Sequence, residues 1–180
     1  MRFGYYDRLS RPEQRIYRKS DDVTSLRLTG AAALRPLIAP LARALGAEDR
    51  AQVEAAAQRL HQELTRAFGV SPCRVEVLSA RPHGQWGELQ GLYTPGGKGR
   101  RPKVTLWMRT ARQKRLVAFR TFLRTLLHEL GHHLDYEYLR LADSFHTEGF
   151  YKRESSLFHQ LVPALGPDER STAPEPSAVE

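Results

Sequence analysis

LLHELGHHLDYEY, residues Leu126–Tyr138, places the pattern His-Glu-x-x-His at His128, Glu129 and His132. On an α-helix, residues four apart lie one turn above each other, so His128 and His132 can present two imidazole nitrogens to one Zn²⁺. Glu129 is rotated about 100° from His128. Its carboxylate therefore falls beside such a metal rather than on it, where it can take a proton from an activated water.

Working outward, Leu116, Phe119, Leu123, Leu126, Leu127, Leu130 and Leu134 form an apolar stripe that predicts one long helix from about Arg112 to about Leu141. Burial of that stripe holds the histidines on a rigid support. Gly131 costs about 1 kcal/mol relative to Ala inside a helix, which points to a close neighbouring backbone. His133 points away from the His128 face and is read as a packing or surface residue.

Upstream, Arg74–Leu78 alternates with period two, and Gly87–Tyr93 and Lys103–Met108 read as two strands joined by a turn, Pro95-Gly-Gly-Lys-Gly99. Glu48–Phe68 reads as a helix stopped by Gly69, with His61 close to its apolar side as a packed residue. Ser10 and Glu13 form a capping box for a helix over Leu9–Ser20. Val23–Leu28 is a strand or an extended linker, and Ala31–Leu45 is a helix broken by Pro36 and Pro40. Downstream, Ser144 or Asp143 can cap a last helix from about His146 to Leu161. The expected fold is α+β: a small antiparallel or mixed sheet of about three strands packed on the motif helix and further helices. Residues 1–46 form an N-terminal helical extension, 47–165 the core domain, and 166–180 a disordered acidic tail.

At 180 residues the chain fits one domain of ordinary size. Its single cysteine, Cys73, excludes an internal disulfide and a cysteine-rich zinc ribbon, so histidine and carboxylate must hold any metal. No apolar run has signal-peptide or membrane-spanning character, so a soluble, cytoplasmic protein with no membrane partner is expected. The formal charge is +8, and from Lys98 to Arg124 there are ten Lys or Arg and no Asp or Glu. That stretch suggests DNA as a partner through a basic hairpin and helix start, with Lys98, Arg100, Arg101, Lys103, Arg109, Arg112, Lys114 and Arg115 as contacts. A solvated basic face is the plainer reading.

Two histidines do not make a zinc site of useful affinity, so a third ligand is needed. The metzincin spacing falls on Tyr138 and is excluded. Asp135, His146, Glu148 and Glu154 are the candidates. Three ligands from one straight helix enclose a tetrahedral ion poorly, which makes Asp135 a supporting acceptor or a helix-end residue. His146, after a turn short enough to fold the next helix back, is the first choice over Glu148 and Glu154.

His-Glu-x-x-His on a long helix, followed by His146 and, four residues later, Phe150, resembles the SprT-like (Spartan-type) zinc metalloproteases. The likeness covers roughly residues 73–161. It implies a zincin-like fold for 47–165, zinc on His128, His132 and His146, and water activation by Glu129. The glycine usual after the third histidine is Thr147 here, with Gly149 two positions on, and the zinc ribbon common in bacterial members is absent. Any nucleic-acid contact then falls to the basic stretch.

On the last helix Arg153 lies seven residues from His146 and is a candidate for stabilising an oxyanion, or else a partner for Glu129, Asp135 or Glu154. The expected function is a zinc-dependent endopeptidase acting on a protein or peptide in extended form, with DNA-associated proteins as the substrates the resemblance suggests. Two alternatives stand beside it: a non-enzymatic zinc-containing nucleic-acid-binding or regulatory protein, and a regulatory protease cutting one repressor-like partner.

Overall fold

A computed structural model describes residues 3–81 and 90–163. The tail expected at 166–180 and the start of the strand expected at Gly87 lie outside the described residues. In chain order the helices are α1 (Arg11–Asp22), α2 (Ala31–Leu34), α3 (Ile38–Gly46), α4 (Arg50–Ala67), α5 (Phe119–Glu137) and α6 (Glu148–Leu161). The strands are β1 (Arg74–Ala80), β2 (Gly91–Thr94) and β3 (Lys103–Arg109).

The three strands form one mixed sheet in the order β1-β3-β2, with β1 parallel and β2 antiparallel to β3. Val77 pairs with Leu106, and Gly91 pairs with Leu106 from the other side. Val75, Val77, Val104, Leu106 and Met108 project into the main core, where α4 packs on β1 and α5 on β2 and β3. That core runs without interruption from Leu26 to Leu161 and takes in Leu34, Leu41 and Leu45 of the N-terminal segment. Among the described residues no helix is long and apolar enough to cross a membrane.

Local chemistry explains most boundaries. Ser10 and Glu13 form the expected reciprocal cap on α1. Asp49 caps α4 by accepting from the Gln52 amide at 3.1 Å. Pro36 and Pro40 divide 31–46 into α2, a 3₁₀ turn and α3. Leu26 and Leu28 are buried, yet 23–28 joins no ladder and serves as an extended linker.

The motif helix is shorter than the apolar stripe predicts. Residues 110–117 turn back along β3 instead of beginning the helix: the Val117 amide donates to the Met108 carbonyl at 2.7 Å, and Leu116 bridges to Arg109. Lys114 takes a left-handed conformation in that turn (φ 52°). Leu116 keeps its helical spacing but packs from an extended segment. At the other end, the Tyr138 and Leu139 amides both donate to the Leu134 carbonyl, and Arg140 is left-handed (φ 54°), so the helix stops at Glu137.

Helix α6 also starts later than expected. Its cap is Thr147, whose Oγ1 accepts from the Phe150 amide at 2.9 Å, not Ser144 or Asp143, whose side chains bond elsewhere. His146 therefore lies in the connection just before the cap. The close neighbour of Gly131 is the Phe150 ring, 3.0 Å from where a Cβ would stand, and not a backbone.

Candidate metal centre

Helix α5 supplies His128 and His132, and the chain reversal after Tyr138 returns His146 to them. Nε2 of His146 lies 2.9 Å from Nε2 of His128 and 3.1 Å from Nε2 of His132. Tetrahedral zinc with Zn–N of about 2.0–2.1 Å sets nitrogens about 3.3 Å apart, so the three atoms meet at nearly that spacing. The three histidines lie close enough to bind one metal ion. Phe150, buried, floors the cluster with its ring centroid 4.9, 4.8 and 5.4 Å from those of His128, His132 and His146.

Hydrogen bonds fix which nitrogens are free. Nδ1 of His128 lies 3.1 Å from Oε2 of Glu154, a carboxylate that can only accept, so this nitrogen carries the proton. Ser144 donates its hydroxyl to Oδ2 of Asp135 at 2.8 Å, leaving its oxygen to accept from Nδ1 of His132 at 2.7 Å. Both rings thus turn an unprotonated Nε2 toward the shared point, the arrangement a metal-binding histidine requires. Burial, with His128 and His146 nearby, pushes His132 down to about 3, and burial with His128 lowers His146 as well. Imidazole nitrogens facing one another suit a borderline cation such as Zn²⁺.

Glu129 is 5 % exposed and sits beside the cluster. Burial raises its pKa to about 7, against the opposing pull of His128 and of the Tyr93 backbone amide that donates to it. Gly91 on β2 makes room for this carboxylate, since a Cβ there would strike Oε1 of Glu129 and the Thr125 methyl. The histidines and Glu129 open onto a cleft of about 720 Å³, bounded by Gly91, Leu92 and Tyr93 on β2 and by Tyr136 and Tyr151 on the helical side.

Of the candidate ligands, Glu154 stands behind His128 and also pairs with Arg124 at 3.4 Å. Glu148 is half-exposed and pairs with Lys152 at 2.7 Å. Asp135 is fully buried and reaches His132 only through Ser144. Arg153 does not line the cleft. The residue is 2 % exposed, and its guanidinium donates to Oδ1 of Asp135 at 2.7 Å and also to the Ser20 and Val23 carbonyls. Of the partners considered for it, Asp135 is the one the fold provides.

Sequence spacing did not reveal Ser144, the Tyr93 amide or Gly91, because each acts from another segment. Only the two-residue gap between Ser144 and His146 hints at a shared task. His133 is fully buried, donating from Nε2 to the Ser71 carbonyl at 2.7 Å and lying 3.1 Å from the Tyr93 hydroxyl.

The basic residues do not gather. Lys98, Arg100 and Arg101 lie in the exposed β2–β3 connection, whereas Arg112, Lys114 and Arg115 lie in the turn beyond the other end of β3. Six strand steps of about 3.3 Å separate the two ends by about 20 Å. Lys103 pairs with Glu76 at 2.8 Å, and Arg109 pairs with Glu48. Comparisons with models of known families, with curated proteins and with solved structures found no match.

Proposed function

We propose that the protein is a zinc-dependent endopeptidase of the zincin-like, SprT-like kind, with His128, His132 and His146 as ligands and Glu129 as the proton-transferring carboxylate. The observation that carries this reading is the approach of the His128 and His132 Nε2 atoms to within 3.1 Å of Nε2 of His146, beside a buried carboxylate and an open cleft. Bound zinc would supply Lewis acidity, polarising a carbonyl and acidifying a water.

The chain's own groups do the rest. Burial makes Glu129 a stronger base than a solvated carboxylate, suited to accepting a proton from the attacking water and returning it to the leaving amine. The Tyr93 amide orients that carboxylate, and Gly91 leaves the space it occupies. Glu154 and Ser144 hold the first two imidazoles in the right tautomer.

Among the described residues strand β2 pairs with β3 on one side only, and its residues Gly91–Tyr93 border the cleft, with Leu92 exposed. An extended segment of a protein substrate can add to that edge, with its scissile carbonyl beside the histidines.

The test is Glu129→Gln in the zinc-loaded protein, assayed on an unfolded protein such as casein. The variant should keep stoichiometric zinc and lose cleavage by about 100-fold or more, the range for a general base beginning there. Cleavage at the wild-type rate sinks the assignment.

A further inference from the structure

His146 is the only one of the three histidines that no helix holds. It lies in the connection between α5 and α6, and the N-terminal segment reaches across the chain to grip that connection. The Tyr5 hydroxyl donates to the His146 carbonyl at 2.8 Å. Oδ1 of Asp21 accepts from the Gly149 amide at 2.9 Å, one of the first-turn donors of α6 that the helix leaves unmatched, where the helix dipole favours a carboxylate. A Cβ on Gly149 would overlap the Asp21 backbone carbonyl, so the end of α1 lies directly on this turn. Tyr17, fully buried, stands 6.3 Å from the ring of Phe145 and 5.9 Å from that of Tyr5.

A second route leads from the same segment to His132. The Ser20 and Val23 carbonyls and the Ser20 hydroxyl bind the Arg153 guanidinium. Arg153 holds Oδ1 of Asp135, Oδ2 of Asp135 accepts from Ser144, and Ser144 holds Nδ1 of His132. Both chains of contact end on a histidine of the cluster.

We infer that the N-terminal segment from Tyr5 to Val23 is a positioning element of the metal centre, with Tyr5 and Asp21 as positioning residues for His146. This rests on the histidines being metal ligands and not on peptide cleavage. The segment brings the third imidazole to the other two in advance, so that binding the ion does not have to order the connection, and metal affinity rises accordingly.

The experiment measures Zn²⁺ affinity of the full chain by chelator competition, and the Co²⁺ absorption spectrum, for the wild type, Tyr5→Phe, Asp21→Ala, Asp21→Asn and Glu13→Ala. Tyr5→Phe removes one hydroxyl and should weaken zinc about fivefold. Asp21→Ala should weaken it about tenfold and alter the Co²⁺ spectrum, whereas Asp21→Asn keeps an oxygen for the Gly149 amide and should stay within about threefold of wild type. Glu13→Ala breaks the cap at the far end of α1 without touching the connection. It should lower the melting temperature of the metal-free protein and leave zinc affinity unchanged.

Zinc affinity within twofold of wild type for both Tyr5→Phe and Asp21→Ala overturns the inference. So does an equal loss in Glu13→Ala, since destabilising α1 anywhere would then suffice. A wild type that binds no metal overturns both this inference and the proposed function, while one that binds metal without cleaving protein overturns only the latter.

Discussion

Helix α5 carries two kinds of histidine. His128 and His132 turn toward His146 with their Nε2 atoms together, while His133, one residue on, turns inward to within 6.1 Å ring-to-ring of His61 on α4. Both groups bring imidazole rings together, yet among the described residues only the first gathers three ligand nitrogens close enough to hold one ion. The difference lies in what the other nitrogen does. In the cleft, Glu154 and Ser144 take the Nδ1 protons and leave Nε2 free. Inside, His133 spends both nitrogens on Ser71 and Tyr93, and both nitrogens of His61 are buried without a hydrogen-bond partner among the described residues. A histidine cluster becomes a ligand set only when its second nitrogens are anchored.

Breaking the first group should have the largest effect. His146→Ala removes the proposed third ligand but leaves the contacts that anchor His128 and His132 on α5 intact. Zinc-finger affinities of about 10–16 kcal/mol shared over four ligands suggest about 2.5–4 kcal/mol each, so zinc affinity should fall roughly a hundredfold to a thousandfold. Isothermal titration against a chelator measures it. Stoichiometric zinc held at wild-type affinity would move the third ligand away from His146.

Breaking the second group should show in acid stability instead. Burial, and then His133, depress the His61 pKa to about 3. An unfolded chain takes up this proton below about pH 6.5 and the folded chain does not, so stability is full above that value and is lost as pH falls toward 3. His61→Leu, similar in volume and without orphan nitrogens, removes that loss. Its advantage over wild type in urea melts should grow by about 3 kcal/mol from pH 7 to pH 4, at about 1.4 kcal/mol per pKa unit. An advantage that does not change with pH would mean that water or a proton reaches His61 in the folded state. His132, His133 and His146 remain in the variant, so part of the acid loss persists.

The two groups also differ in how far the sequence discloses them. The four-residue spacing of His128 and His132 is a local property of one helix, and it survives folding. The choice of His146 over Glu148 and Glu154 followed from the short connection, and the Nε2 atoms of His128, His132 and His146 do converge. The Ser10 and Glu13 cap and the three strands were legible for the same local reason. Contacts between distant segments were not: Arg153 on α6 finds its acceptors at Ser20 and Val23, and Gly131 makes room for a ring 19 positions on. The helix start was misplaced because Leu116 matches the apolar period while its backbone pairs with β3. The basic stretch, continuous in sequence, is parted by β3, and Glu76 and Glu48 neutralise two of its members. Composition along a chain says little about which charges meet in space.

The smallest effect should come from altering the anchor and not the ligand. Glu154→Gln keeps an oxygen that can accept from Nδ1 of His128, so ring and tautomer stay in place, and only the negative charge behind the imidazole is lost. That charge makes Nε2 a better donor, and its removal should weaken zinc about tenfold, or about 1.4 kcal/mol, at the low end for such partners. Glu154→Ala also frees the ring to rotate and should cost more, up to about 100-fold. Arg124 confines the interpretation: it pairs with the other oxygen of Glu154 and lies 4.0 Å from the Phe158 ring centroid, so Arg124→Met should leave the His128 contact standing. If Glu154→Gln and Glu154→Ala weaken zinc equally, the charge is what matters. If Glu154→Gln binds like wild type while Glu154→Ala does not, the anchor acts by holding the ring, as Ser144, which carries no charge, must do for His132.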